Sequence, residues 1–336
     1  MGNSSSNPKM IRNPAGQLQP QTKEELRTWL EEYCIGTTLN VPKRRLKTLG
    51  DVNKEQKKSR ARAVKKRGEP NTWDVTLVTD MSELFKNLVY FNAPIDQWDT
   101  SGVINMSKMF FGAWSFNQPI TMDTSQVTDM NNMFAATESF NQPIKMNTSK
   151  VTNMDSMFGG AWAFNQPINM DTSQVTSMRA MFNGARLFNQ PIKLDTSKVT
   201  KMGQMFCGAQ SFNQPLTMNT SKVTEMDGMF QATDSFNQPI TMDMSQVTLM
   251  NNMFENAIAM THPVPKPPPK PSKKQPPPKH LKKQPPPNPT KKQPPPNPTK
   301  KKPPPKPLKK QPPPKPLKKQ PPPKPLKKQP PPKPCK

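Results

Sequence analysis

Three recurring spacings in this 336-residue sequence set candidate ligands in register. Met-x-x-Met occurs in seven copies, from Met106 and Met109 to Met250 and Met253, and paired thioethers are soft ligands of the kind that hold Cu(I). Phe follows the second Met in every copy, so the sulfurs share a face with an aromatic ring. Packing into irregular core gaps is the simpler role. Asp or Asn recurs at 99, 123, 147, 171, 195, 219 and 243, a register that a calcium ladder would use. Each loop offers one such side chain followed by Thr-Ser or Met-Ser, which favours a capped turn instead. The Asn of Phe-Asn-Gln-Pro, at 117, 141, 165, 189, 213 and 237, suits an amide ladder between repeats. His262 and His280 both lie in a Pro/Lys-rich stretch, so no Ser-His, Cys-His or His-metal centre can form among the apolar repeats. No catalytic residue, metal or cofactor is assigned.

The chain start offers different chemistry. Met1-Gly2-Asn3-Ser4-Ser5-Ser6 fits the signal for myristoylation at Gly2. One acyl chain binds membranes only marginally, so a second attachment is needed. Lys43-Arg44-Arg45 and the basic run from Lys54 to Lys65, Lys66 and Arg67 supply it through contact with anionic lipid. The same charges attract nucleic-acid phosphates, which is the competing reading. Two helices are expected around these charges, and the second carries the run from Lys54 to Arg67. Thr22 with Glu25 forms a capping box for one running to about Tyr33, and a basic one ends at Gly68-Glu69-Pro70.

Beyond Pro263 a nine-residue Pro/Lys repeat begins, clearest from Pro303 to Gln311. It has too little apolar bulk for a core and favours polyproline II, with three residues per turn. Pro304, Pro307 and Lys309 fit P-x-x-P-x-K, an SH3-ligand pattern. A cationic brush without specific readout is the alternative, and the persistence of paired lysines favours it.

The charge balance separates these regions. Residues 1–74 hold 16 Lys+Arg against 8 Asp+Glu, residues 75–260 hold 10 against 15, and residues 261–336 hold 23 against none. A single enzyme-like core spanning the chain is excluded. No apolar run approaches the roughly 18 residues of a membrane span, and no secretory leader follows Met1. Cys34, Cys207 and Cys335 are few and odd in number, which points to a reducing cytosol rather than a disulfide framework.

The middle is a tandem repeat. Phe-Asn-Gln-Pro-Ile recurs with Phe at 116, 140, 164, 188 and 236, with a Leu version at Phe212, and Val-x-x-Met-x-x-Met-Phe starts at Val103 and every 24 residues to Val247. A degenerate copy begins at Val78. Met130, Met133 and Phe134 stand at i, i+3, i+4, which predicts a short helix capped by Thr128. Ile120 and Met122 stand at i, i+2, which predicts a short strand. The fold expected is an α/β repeat, a leucine-rich-repeat-like solenoid of eight strand-plus-helix coils, because one coil cannot bury its own apolar face. The boundaries expected are a disordered acylated 1–21, a basic helical segment at 22–74, the solenoid at 75–260 and a disordered polyproline tail at 261–336.

FNQPI, DTS-x-VT-x-M and MFxxA together resemble the BspA-like leucine-rich-repeat surface proteins, also described as lipoprotein-associated repeats. The resemblance covers 78–256 and implies a curved solenoid used for adhesion or protein binding, without catalytic residues. That family usually has Trp before the Asp of the DTS turn. Trp98-Asp99 keeps it, and later coils have Met or Leu.

Binding must then use the outward positions. Thr121, Lys145, Asn169, Lys193, Thr217 and Thr241 form one such row, and Gln126, Lys150, Gln174, Lys198, Lys222 and Gln246 another. A solvated face is the simplest reading, with a weak acidic-partner surface as the alternative. Lys145 and Lys193, like Trp114 and Trp162, recur after two coils. The expected protein is a non-enzymatic scaffold on the cytoplasmic face of a eukaryotic membrane. Its partners are that membrane, an unknown protein on the solenoid, and an SH3-type domain or nucleic acid on the tail. A virus infecting a eukaryote, or a protist, reconciles an acylation signal with a repeat familiar from bacteria. The alternative is a nucleic-acid-associated structural protein of virion type.

Overall fold

The computed structural model describes residues 10–34 and 49–263. The chain separates into two units, Met1–Lys274 and Gln275–Lys336, and all described residues belong to the first.

Each repeat bonds to the next through its main chain. In the coil that starts at Val127, the amides of Met130, Asn132, Phe134 and Ala136 donate to the carbonyls of Asn153, Asp155, Met157 and Gly159 in the following coil, at 2.6–3.2 Å. The alternate amides of Met133, Ala135 and Thr137 donate three residues back, to Met130, Asn132 and Phe134. Parallel bridges follow one position through the stack, at Asp80, Asn105, Asp129, Asn153, Ser177, Lys201, Glu225 and Leu249.

This bonding replaces the short helix expected at Met130–Phe134. Among the described residues, helices occur only at α1 (Lys23–Tyr33), α2 (Leu49–Arg67) and a 3-10 turn at Pro70–Thr72, none of them within the repeats. Two residues per coil adopt left-handed backbone, Asn132 and Ala136 at φ 53° and 54° in this coil, so no run of helical dihedrals survives. Chained i to i+3 turns place Met130, Met133 and Phe134 on one buried face, as a helix would. The second left-handed position is glycine at 112, 160, 184 and 208. A Cβ on Gly184 would sit 3.7 Å from the Gly160 main chain, so successive coils pass close there. The strand expected at Ile120–Met122 is also reduced, to a single bridge between Ile120 and Ile144. Both Ile120 and Met122 still point inward and are buried.

Two columns of phenylalanine fill the interior. Phe110, Phe134, Phe158, Phe182 and Phe206 stack at 5.5–5.7 Å, and Phe116, Phe140, Phe164, Phe188 and Phe212 at 5.9–6.0 Å. The columns touch within each coil at 4.1–4.4 Å. Identical side chains one above another follow from in-register repeats, and each ring is thereby sealed by its neighbours.

The first coil is closed by α1. Thr22 caps this helix by accepting from Glu25 N–H at 3.1 Å, and the Glu25 carboxylate accepts from Gln21 N–H, one residue earlier than a standard capping box. Leu26, Trp29, Leu30 and Tyr33 join the same core cluster as Trp73, Val75, Phe85 and Phe91, so helices and repeats share one interior. Arg27 donates to Leu84 O at 2.8 Å and Lys86 O at 3.0 Å. Those carbonyls stand where later coils accept from a preceding coil, so a guanidinium supplies the missing donors. Residues 10–21, expected to be disordered, instead form a bridge between Arg12 and Leu18 and bury Leu18. Asn13 and Gln19 donate to the Asp74 carboxylate at 2.8 and 2.6 Å, which ties this segment to the start of the repeats.

Candidate interaction surfaces

The basic residues expected at a membrane or polyanion divide. Lys65 and Lys66 are exposed at the end of α2, with Lys66 reaching the Glu32 carboxylate at 3.4 Å. Arg67 is corrected to an internal residue. It is 8% exposed, donates through both Nη atoms to the Glu32 carboxylate, and lies 5.2 Å from the Trp29 ring centroid. Its carbonyl also accepts from Trp73 Nε1 at 2.9 Å. The Arg67 hydrogen bond holds the Glu32 carboxyl below the usual carboxylate range. Sequence composition grouped Arg67 with its exposed neighbours because nothing in a charge run says which side faces the core. Lys57, Lys58, Arg60 and Arg62 complete the exposed basic face of α2. Gly2, Lys43, Arg44, Arg45, Pro304, Pro307 and Lys309 lie outside the described residues.

Inside the repeats the recurring polar side chains are committed to the backbone. The Asn117 side-chain oxygen accepts from Asn141 N–H at 3.0 Å and from Gln142 Nε2 at 3.1 Å, and the same pair recurs from Asn141 to Asn165 and Gln166. The amide ladder thus includes the Gln of FNQP, which sequence reasoning left without a role. In the turn, the Asp123 carboxylate accepts from Ser125 N–H at 2.8 Å, which lowers its pKa. Thr124, 1% exposed, donates its hydroxyl to Asn147 O at 2.9 Å. These carboxylates, with the Asn147 and Asn219 side-chain oxygens in their place in two coils, therefore close turns. Among the described residues no group of three or more His, Cys, Asp or Glu is placed to hold a metal ion. Met130 and Met133 are sealed from solvent in the same core cluster as the phenylalanine columns.

The outward rows carry the variation. Thr121, Lys145, Asn169, Lys193, Thr217 and Thr241 are all exposed. In the neighbouring row Lys150 donates to Gln126 Oε1 at 2.6 Å and Lys198 to Gln174 Oε1 at 2.7 Å. On the bridge face, Arg179 reaches Glu225 at 3.1 Å and Lys201 reaches the same carboxylate at 3.6 Å. Gly203 lies between Arg179 and Asp227 in the stack, and a Cβ there would meet Asp227 Oδ1 at 2.5 Å. Trp114 and Trp162 also stand exposed.

In-register amide bonding between 24-residue units makes this a tandem-repeat protein. The chain belongs to the family described as Mycoplasma protein of unknown function, DUF285, whose profile matches residues 56–170, 121–194 and 168–266. No curated protein matches the chain.

Proposed function

We propose that the chain is a non-enzymatic binding scaffold whose repeats form a leucine-rich-repeat-like solenoid of BspA-like type. Acylation at Gly2 and the exposed basic face of α2 hold it on the cytoplasmic side of a eukaryotic membrane. One observation carries the reading. The recurring Asn, Gln, Asp and Thr side chains are consumed in bonds within and between coils, while side-chain identity varies on outward positions. Repeat stacks that keep a constant interior and vary their surface present extended binding faces. The basic face adds about 1 kcal/mol per charge near anionic lipid, enough to complement one myristate. No described helix is long and apolar enough to cross a membrane, and attachment through an acyl chain needs none.

The test is flotation of chain made in a eukaryotic cell with phosphatidylserine vesicles, alongside its intact mass. A myristate mass on Gly2, flotation, and its loss in Gly2→Ala support the anchor. Flotation that persists in Gly2→Ala removes it. The charge of residues 261–336 favours a second reading, a nucleic-acid-associated structural protein. Titration with DNA at two salt concentrations separates the two readings, since that affinity must fall steeply with salt.

A further inference from the structure

The two ends of the repeat stack are finished differently. At the first coil the open groups are carbonyls, and α1 covers them, with Arg27 donating to Leu84 O and Lys86 O. At the last coil the open groups are amides. Met226, Gly228, Phe230 and Ala232 donate to the carbonyls of Leu249, Asn251, Met253 and Glu255. The equivalent N–H groups one coil on, at Met250, Asn252, Phe254 and Asn256, have no partner among the described residues. The apolar side chains are uncovered as well. Phe230 is sealed from solvent, whereas Phe254, Met250 and Met242 are only partly buried and Ile258 is 81% exposed. A stack of repeats needs its terminal apolar face covered.

Another repeat of the same kind does not fit this end. In six coils the turn threonine donates its hydroxyl to the main chain of the following coil, as Thr220 does to Asp243 O at 2.9 Å. Met244 stands at that position in the last coil and has no hydroxyl to offer. Thr261 stands where the ladder has Asn, and its N–H and hydroxyl both donate to Asn237 Oδ1 at 2.9 Å. A second copy is disfavoured on both of its ends. Its last coil would bring amides against amides, and its first coil is closed by α1.

We propose that residues 264–274, which continue directly from the last coil, lie across this end and supply its missing acceptors. Proline keeps its carbonyl and lacks an N–H, so a proline-rich strand meets a row of donors without burying donors of its own. Pro265, Pro267, Pro269 and Pro271 recur at every second residue, the same interval as the four open amides. In extended backbone that interval returns carbonyls to one edge. At about 3.1 Å per residue the segment reaches about 34 Å, against at most roughly 20 Å for the row of amides. The difference leaves length to cross from Pro263. Charge agrees with this occupant. Residues 229–263 hold Asp234, Asp243 and Glu255 and no Lys or Arg, while residues 264–274 hold Lys266, Lys270, Lys273 and Lys274 and no acid.

The inference goes beyond the scaffold reading and does not depend on the membrane anchor, so the vesicle result stands whichever way this test falls. The test is amide hydrogen exchange on the full chain. Residues 249–256 should exchange at least tenfold more slowly than an unstructured peptide of the same sequence. Replacing residues 264–274 with a Gly/Ser segment of equal length should remove that protection and leave residues 153–159, in the middle of the stack, unchanged. The same replacement at residues 275–285 should leave residues 249–256 protected. Rapid exchange at 249–256 in the native chain, or protection that survives the first replacement, overturns the proposal. Protection lost only through the second replacement moves the cap elsewhere and overturns it too. Protection that rises with protein concentration, together with a dimer in sedimentation, overturns it in favour of a second copy.

Discussion

Alanine in place of Phe164 removes one ring from the middle of the stacked core. The side chain is sealed from solvent and touches three rings, Phe158 at 4.2 Å, Phe140 at 6.0 Å and Phe188 at 6.0 Å. Burial of Phe with a cavity left behind sets the cost at about 3–5 kcal/mol. Collapse around the gap is hindered, because the coils on both sides are held by main-chain bonds such as Phe158 N–H to Met181 O at 2.9 Å. The upper half of the range therefore applies. Marginal stability makes such a loss a large share of the total, and in a quasi-one-dimensional stack it splits the array into two weakly coupled halves. Urea unfolding followed by fluorescence and circular dichroism should show a lower midpoint and probes that no longer coincide. Phe164→Leu, which keeps most of the volume, should lose less than half as much. A loss below 1 kcal/mol with coincident probes would refute the continuous stacked core.

The amide ladder predicts an asymmetry between neighbours. Asn165→Ala strips an acceptor from Asn189 N–H and Gln190 Nε2 and should cost about 1–3 kcal/mol, whereas Gln166→Ala loses only donors and should cost about 0.5–1.5 kcal/mol. Equal melting shifts for the two would count against the ladder. Arg67→Ala should lower the melting temperature by several degrees and Lys65→Ala should not, since only Arg67 is buried against Glu32 and Trp29. Glu32 has a depressed folded-state pKa, so its contribution is full above the unfolded value of about 4.3 and fades as pH falls through the folded one. The gap between wild type and Arg67→Ala should accordingly narrow from pH 7 to pH 3 in thermal melts. Arg27→Ala should destabilise the first coil selectively, read as faster amide exchange at Leu84–Phe91 than at Phe188–Phe212, because it bares the Leu84 and Lys86 carbonyls.

Much of the architecture was legible because a repeat states its own period. Val-x-x-Met-x-x-Met-Phe marks the buried face correctly whether the backbone is a helix or a chain of three-residue turns, since both return a side chain to one side after three residues. For that reason the spacing could not distinguish them. The discriminating signal was present at Gly112, Gly160, Gly184 and Gly208, which sit where the backbone turns left-handed, but Ala136 and Ala232 occupy the same place and mask the pattern. Gln142 and Gln166 had no legible role because their partner is an Asn main chain and side chain 25 residues earlier.

The sequence by itself determined the 24-residue register, the phenylalanine and methionine interior, the Asp-Thr-Ser turn, the capped start of α1 and the end of α2 at Arg67. Each depends on residue type and short-range spacing, which the chain carries without folding. Only the tertiary structure decided that Arg67 turns inward, that Arg27 closes the first coil, that residues 10–21 clasp Asp74, and that Trp114 and Trp162 stand clear of the core. Those outcomes depend on which side of an element meets a neighbour distant in sequence. A charge or an aromatic ring has the same composition on either side, and only packing distinguishes the two.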